Sequence, residues 1–318
     1  MINIIESIEN GLGLDIILWF QSWRTPLISN LFSPFNYLGS EIGMLIILPL
    51  VYWCVSKTFG RRLFLITLIS SWINLWFKDL WMRPRPFMVP GSKVVPAFDY
   101  HASYGLPSGH TMLAATTLGY TALSLRKRWV TILTVLLTLL MGVSRMVHGV
   151  HFPQDVLVGI LLSTVIVLTF GRLEKTMGEL FFNVTLPVQI FLAFLMGGLF
   201  FFLFWVTKAD PKDYENCLSL SSLTAGGVAG IAFEFRYVRF TVRGSFLKKA
   251  GRFIVGLTGL FILYLGLRYP SYALMENFPD ASLLSGLLRI IRYSSLGLWV
   301  VWGAPLLFTK IRLSDRDR

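Results

Sequence analysis

The chain has 318 residues, of which 54% are hydrophobic and only 14% are charged, and its net charge is +12. Soluble globular domains carry about a quarter charged residues, whereas the apolar residues here form long runs, several of them near the ~20 residues needed to cross a bilayer. The composition therefore argues against a soluble domain and predicts an all-α, polytopic membrane helical bundle. The short alternating segments typical of a membrane β-barrel are not seen in the sequence.

The positive charge and the two cysteines help to exclude other classes of protein. A charge of +12 would suggest nucleic acid binding in a soluble protein, but the basic residues here lie in short loops between apolar runs. Orientation in the membrane and contact with anionic headgroups explain them better, so we expect membrane lipids and no nucleic acid as partners. Cys54 and Cys217 indicate neither a disulfide framework nor a metal site.

The first 36 residues mix apolar and acidic side chains with Trp19, Trp23 and Pro26, a pattern typical of helices that lie in the membrane interface. They lack the basic and small-residue features of a cleaved signal peptide. Nine apolar spans are predicted to follow, at about 37–56, 62–82, 108–125, 129–148, 154–171, 187–207, 219–235, 253–268 and 287–309.

The loops between these spans differ in charge on the two sides. One set of loops carries most of the 29 Lys and Arg residues and few of the 17 acidic residues. The positive-inside rule makes that set cytoplasmic, so we expect the N-terminus outside, the C-terminus inside and the protein in the plasma or inner cell membrane. The basic loops are 57–62, 126–128, 172–175, 236–252 and the tail 310–318.

The opposite, extracytoplasmic side carries the stretches that are rich in polar chemistry. The first is "KDLWMRPRP", in which Lys78 and Arg85 are seven residues apart and Arg83 lies between them. A basic residue at a membrane edge often only extends its charge to the interface, and this is the interpretation we favour for Arg83. Lys78 and Arg85 gain a functional interpretation from the motifs that follow.

The second stretch is "YGLPSGHTM", at the start of a predicted span. Ser108 is a natural N-cap, and Gly109 allows a ligand to approach the backbone closely. The free N–H groups at such a helix start form an anion site, and His110 stands in the first turn.

The third stretch is "SRMVHGVHFPQD". Ser144 and Arg145 end one span, and Asp155 begins the next. His151 and Asp155 are four residues apart at a helix start, so Asp155 can bind one ring nitrogen and leave the other as a nucleophilic lone pair. Charged groups near hydrocarbon are costly and are usually functional.

Together these residues predict a phosphate site. Three cations and a helix N-terminus can hold a tetrahedral dianion, a neutral histidine can attack phosphorus, and a protonated histidine can donate to the leaving oxygen. A metal trio of His148, His151 and Asp155 is the alternative. Three nearby cations would repel a divalent ion, so we expect neither a metal nor another cofactor.

The three motifs match, in order and spacing, those of the phosphatidic acid phosphatase type 2 superfamily: K-x6-RP, PSGH and SR-x5-H-x3-D. The resemblance spans roughly residues 60–171 and implies that His151 is a nucleophile that forms a phosphohistidine. It also implies that Asp155 is its partner and that His110 is the acid and later the base. The phosphate-binding residues that it implies are Lys78, Arg85, Ser108, Gly109 and Arg145, without a metal.

The apolar pattern and the resemblance together predict an interfacial segment (1–36), a catalytic membrane core (37–171) and further C-terminal spans (172–318). The predicted layout, with nine spans, an outside N-terminus and an inside C-terminus, resembles that of the sphingosine-1-phosphate phosphatase and glucose-6-phosphatase branches of the superfamily. We therefore expect a metal-independent lipid phosphatase acting on a phosphorylated lipid at the extracytoplasmic face. The sequence does not specify the oligomeric state.

Three other functions stay open on the sequence. The same site could serve a lipid phosphotransferase or a phosphatase of a soluble sugar phosphate, since the chemistry is shared up to the phosphohistidine. A transporter or flippase of a phosphorylated lipid is the alternative from another class, although anion binding alone needs no nucleophile with an orienting carboxylate. Vanadate-dependent haloperoxidases have a similar anion pocket, but the haloperoxidases that this sequence resembles are soluble proteins.

Overall fold

A computed structural model describes residues 9–97, 103–206, 211–277 and 282–317 of the chain. Its described residues are almost entirely helical, and the one bridge between extended segments joins Phe240 to Arg316. The all-α prediction is confirmed.

A π-helical turn at Glu9–Gly13 precedes the helices, and three further π-turns interrupt or extend them, at Val51–Val55, Glu234–Val238 and Trp299–Gly303. The helices are α1 (Leu14–Ser22), α2 (Pro26–Leu38), α3 (Glu41–Leu50), α4 (Lys57–Trp81), α5 (Gly109–Leu125), α6 (Arg128–Val147), α7 (Pro153–Asn183), α8 (Leu186–Val206), α9 (Pro211–Phe233), α10 (Phe246–Asn277), α11 (Ser282–Leu298) and α12 (Ala304–Lys310).

The local sequence explains where several of these helices begin and end. The Thr25 side chain accepts the N–H of Ile28 at 3.3 Å, and Pro26 opens α2. Arg126 is the C-cap of α5, and its φ of +52° turns the chain out of the helix. Pro153 occupies the first position of α7, where the missing N–H of proline costs nothing.

Seven of the described helical segments are long and apolar enough to cross a membrane. The pair 26–38 and 41–55 bends by 53° and would make an eighth span if it crosses as one unit. The predicted count of nine is therefore not confirmed. The prediction counted 108–125 as a span, and α5 has only 17 residues, the lower end of the range that crosses a bilayer.

The chain forms two compact units, the first made of residues 1–44 and 69–172 and the second of 45–68 and 173–318. A core cluster of the first unit contains Ile17, Val89, Val94 and Phe152. Helix α1 also binds the segment after α4, because the Gln21 amide bonds both the N–H and the carbonyl of Val95, at 3.2 and 2.7 Å.

The second unit has its own aromatic core. Tyr52 and Trp53 are buried there with Phe240 and Phe308. Trp53 donates its indole N–H to the carbonyl of Val300 at 2.8 Å, so the polar end of the ring is satisfied within the core. All of the predicted site residues lie in the first unit.

Candidate active site

The third motif forms a tight connection between α6 and α7. His148 is the C-cap of α6, and Gly149 follows with a φ of +69°, a left-handed conformation that favours glycine. The N–H of Val150 then bonds the carbonyl of Arg145 at 3.1 Å. This turn leaves His151 two residues before the start of α7 at Pro153, so the ring lies beside the first turn of that helix.

His151 and Asp155 form a buried pair. Nδ1 of His151 lies 3.2 Å from Oδ2 of Asp155, and the two residues are 1% and 0% exposed. The same carboxylate oxygen accepts the backbone N–H of Phe152 at 2.9 Å. The predicted contact across four residues is present, and the second bond fixes the orientation of the carboxylate.

Arg85 reaches the other nitrogen of the same ring. Its Nη1 atom lies 3.2 Å from Nε2 of His151. A guanidinium has only N–H donors, so Nε2 accepts with its lone pair and the ring hydrogen is on Nδ1, facing Asp155. Burial lowers the pKa of His151 well below its usual 6.5, and the charges of Arg85, Lys78 and Arg145 lower it further. His151 is therefore a neutral imidazole at pH 7, with Nε2 directed at a cation.

Lys78 and Arg85 converge on a residue that the sequence analysis did not select. The Ser103 hydroxyl lies 3.1 Å from Nζ of Lys78 and 3.0 Å from Nη2 of Arg85. The Ser103 carbonyl also accepts Nε of Arg85 at 2.7 Å. Both cations are buried, at 7% and 3% exposed. Arg83 is buried as well, at 8%, so the expectation that it merely extends its charge to the interface is wrong.

The second motif lies against the third. The backbone N–H of Ser108 bonds the carbonyl of Asp155 at 3.0 Å, which joins the start of α5 to the first turn of α7. Ser108 is the N-cap, as predicted, but its hydroxyl makes no cap hydrogen bond and instead contacts the Thr111 hydroxyl at 3.0 Å. Asn74 of α4, which the sequence did not indicate, donates to the Pro107 carbonyl at 3.1 Å.

His110 and Arg145 complete the set. Arg145 is 1% exposed, and a charge on either residue lowers the pKa of His151. The His151 ring therefore lies close enough to four other predicted site residues to feel their charges: Lys78, Arg85, His110 and Arg145. A methyl group at Gly109 would lie 3.0 Å from Oδ1 of Asn74, so a larger residue there would require the Asn74 side chain to shift slightly.

His148 has a different environment from His151. Its Nδ1 lies 3.4 Å from the Ser144 hydroxyl and its Nε2 lies 3.4 Å from the Ser29 carbonyl. Among the residues that the structure describes, no three His, Cys, Asp or Glu side chains are placed to hold a metal ion. The ring of His148 thus belongs to the contact with α2, not to the His151–Asp155 pair.

The fold and site together define a class, a polytopic helical membrane protein with a buried His–Asp pair among fixed cations. Two family models match the chain, "PAP2 superfamily" over residues 59–177 and "PAP2 superfamily phosphatase, transmembrane extension" over residues 218–316. Together they cover more than half of its length, and the chain belongs to the PAP2 superfamily. All three polar motifs lie within the first match.

Curated relatives share part of the chain. Human sphingosine-1-phosphate phosphatase 2 is 33% identical over 141 residues, which are 42% of this chain and 35% of that protein. Human glucose-6-phosphatase 3 is 30% identical over 183 residues, 50% of this chain and 52% of that protein. The matched stretch thus spans about a third to a half of these relatives.

A solved structure also resembles the chain, the transmembrane PAP2-type phosphatidylglycerolphosphate phosphatase from Bacillus subtilis. It has a TM-score of 0.45 and 22% identity, with 55% of this chain and 88% of that chain covered.

Proposed function

We propose that the protein is an integral membrane phosphatase that hydrolyses a lipid phosphate, a monoester or a diphosphate, through a phosphohistidine on His151. One observation carries this proposal: Asp155 binds Nδ1 of His151 and Arg85 faces Nε2. A neutral, oriented imidazole is a nucleophile for phosphorus, and the adjacent guanidinium supplies the charge that a bound phosphate requires. Simple anion binding would need only the guanidinium.

The proposed reaction has two steps, transfer of the phosphoryl group to His151 and hydrolysis of the phosphohistidine. Nε2 of His151 attacks phosphorus, the phosphorus–oxygen bond to the alcohol breaks, and His110, which is protonated only next to the bound phosphate dianion, gives its proton to the leaving oxygen. Asp155 stabilises the positive charge that develops on the His151 ring. His110 then takes a proton from water, the water oxygen attacks phosphorus, and the phosphorus–nitrogen bond breaks. Phosphate leaves, and both histidines return to their starting protonation states.

The cations would stabilise the charge on the transferring phosphoryl group. Lys78, Arg85 and Arg145 supply three fixed positive charges, and the N–H groups at the start of α5, by Ser108 and Gly109, add donors. When phosphate binds, its oxygens replace Nε2 of His151 and the Ser103 hydroxyl as partners of Arg85. This exchange frees the Nε2 lone pair for attack, so substrate binding itself would activate the nucleophile.

The family supports a lipid substrate. The relatives include a sphingosine-1-phosphate phosphatase and a phosphatidylglycerophosphatase. The surrounding helices are apolar and long enough to cross a membrane, so a lipid could reach the site laterally. Similarity to glucose-6-phosphatase 3 favours a second candidate, hydrolysis of a soluble sugar phosphate on the same residues.

The charge of the loops supports a location and an orientation. Basic residues are concentrated in the loops opposite to the three motifs, and by the positive-inside rule those loops face the cytoplasm. The proposed active site then lies at the extracytoplasmic face of the plasma or inner membrane, with the N-terminus outside and the C-terminus inside. We also propose that residues 37–171 form the catalytic core, with 1–36 interfacial and 172–318 forming additional spans.

The test is phosphate release by purified protein in detergent, with a chelator present throughout and His151→Ala as the blank. The substrates are phosphatidic acid, sphingosine-1-phosphate, phosphatidylglycerophosphate, undecaprenyl phosphate and diphosphate, and glucose-6-phosphate. Vanadate should inhibit, because it adopts the trigonal-bipyramidal geometry of the transition state. Release from a lipid, absent in the blank, supports the proposal, whereas release from glucose-6-phosphate alone supports the second candidate.

Other outcomes would overturn hydrolysis. Phosphate transfer that occurs only when a lipid acceptor is added identifies a phosphotransferase. Translocation of a phosphorylated lipid that survives in His151→Ala identifies a transporter. Activity that is lost in chelator and restored by zinc would contradict the metal-independent mechanism.

A further inference from the structure

Helix α2 lies outside both regions matched by the family models, yet it contacts the third motif. The Ser144 hydroxyl lies 3.2 Å from the carbonyl of Phe32 and 3.1 Å from Oδ1 of Asn36. Both α2 residues belong to the same compact unit as the motif. The sequence predicted for this segment only a location in the membrane interface, so its contact with the site needs a separate explanation.

Ser144 is a junction between α2 and the phosphate-binding side chain. It is fully buried, and its hydroxyl oxygen lies 3.5 Å from Nη2 of Arg145. Nδ1 of His148 lies 3.4 Å from the same oxygen. A guanidinium can only donate, so the hydroxyl oxygen accepts from Arg145 and its single hydrogen must be directed elsewhere.

Three acceptors lie within reach of that hydrogen: the Phe32 carbonyl and Oδ1 of Asn36, both on α2, and Nδ1 of His148. The pKa of His148 is lowered to about 4, by burial and then by the charge of Arg145, so its ring is neutral. A neutral ring that donates from Nε2 to the Ser29 carbonyl, 3.4 Å away, presents Nδ1 as an acceptor to Ser144. The amide of Asn36 can accept the hydrogen of the same hydroxyl with its oxygen, or donate to the hydroxyl oxygen from its NH2 group. Asn36 can therefore bond Ser144 whichever acceptor takes the hydroxyl hydrogen.

Helix α2 is also held at its end, beside the second motif. Gly39 follows α2 and is packed against the backbone of His110, so that a methyl group at Gly39 would overlap the His110 carbonyl. The α2 segment thus contacts both the Ser144–Arg145 pair and the turn that carries the proposed acid. Its position is fixed at two places of the site.

We propose that Asn36 is a positioning residue of the phosphate site: through the Ser144 hydroxyl it holds the Arg145 guanidinium in the orientation that binds phosphate. The inference rests on the proposed function and extends the site to a helix that carries none of the three motifs. Asn36 does not touch the substrate. Its loss is expected to weaken binding of the phosphate group more than it lowers the stability of the fold.

The experiment compares two asparagines of the same helix. Asn36→Ala removes the amide, and Asn36→Asp places a carboxylate next to the oxygen that Arg145 contacts. Asn30 is exposed on α2, and Asn30→Ala and Asn30→Asp are the matched controls. Each protein is assayed for kcat, KM, vanadate inhibition and the midpoint of thermal unfolding in detergent.

We expect vanadate inhibition to weaken and KM to rise by about tenfold in Asn36→Ala, the usual effect of losing a hydrogen bond that orients a charged group. Asn36→Asp should be worse, because its carboxylate competes with phosphate for Arg145. Asn36→Gln keeps the amide and should recover part of the loss. Both Asn30 variants should match the wild type.

Two results would overturn the positioning role. The first is vanadate inhibition within twofold of the Asn30 controls in folded Asn36 variants. The second is a loss of activity that follows a lower unfolding midpoint, with KM and vanadate inhibition unchanged in the folded fraction. A wild-type protein that releases no phosphate defeats the proposed function instead, and vanadate binding followed by thermal shift still tests Asn36 in that case.

Discussion

The Nδ1 atom of His151 lies 3.2 Å from Oδ2 of Asp155, and that one oxygen also accepts the Phe152 N–H at 2.9 Å. Two donors on one buried oxygen favour the ionised carboxylate and hold it in a single orientation. The ring orientation is therefore set by the first turn of α7. The opposite edge of the ring faces Arg85, so the geometry specifies which nitrogen would attack phosphorus.

The two histidines of the third motif should differ in their effect on turnover. His151→Ala removes the proposed nucleophile, and we expect activity at the level of the blank. His148→Ala should leave most of the activity, because the His148 ring contacts Ser144 and Ser29 and not the His151–Asp155 pair. Steady-state phosphate release measures both, and equal loss in the two variants would contradict the assignment of the nucleophile.

Asp155→Asn keeps the size of the side chain but removes its charge. We expect kcat to fall on the order of 10²–10⁴-fold, because the positive ring formed during attack loses its stabilising partner and the Nδ1 tautomer is no longer enforced. Rapid-quench measurement of the phosphohistidine should show that its formation is slowed. A variant that keeps more than a tenth of wild-type kcat would argue against the role given to Asp155.

Arg85→Lys should fail although it keeps the charge. The Arg85 guanidinium donates at once to the Ser103 carbonyl, the Val150 carbonyl and Nε2 of His151, at 2.7, 3.1 and 3.2 Å. A single ammonium cannot reproduce this fork, so we expect kcat/KM to fall by about 100-fold or more.

Arg83→Lys is the matched control for that substitution, because Arg83 is a buried arginine two residues away. We expect its kcat/KM to stay within about tenfold of wild type, since no role in phosphate binding is assigned to it. Similar losses in the two variants would show that general packing, and not the fork of Arg85, is responsible.

Buried neutral histidines should make the fold sensitive to acid. The pKa of His148 is lowered from 6.5 to about 4. Below pH 6.5 the unfolded chain takes up a proton at this residue and the folded chain does not, so stability falls as the pH falls, until about pH 4. The midpoint of thermal unfolding in detergent should decrease over that interval, and His148→Gln should reduce the slope. An unchanged slope in His148→Gln would contradict the assignment.

The sequence by itself determined the class of fold and predicted the residues of the proposed reaction. Composition and long apolar runs indicated a helical membrane protein, because a bilayer imposes length and apolarity on every span. The four-residue spacing of His151 and Asp155 predicted their contact, because residues i and i+4 are neighbours at a helix start. The placement of Ser108 at the start of α5 was likewise readable from local capping preferences.

The tertiary structure decided the contacts between distant segments. Ser103 meets Lys78 and Arg85, Asn74 holds the Pro107 carbonyl, and Asn36 lies against Ser144. No local pattern marks such residues, because their partners are 18 to 108 positions away in the chain. The burial of Arg83 has the same origin. Packing of whole helices, and not the propensity of any one segment, brings these groups together.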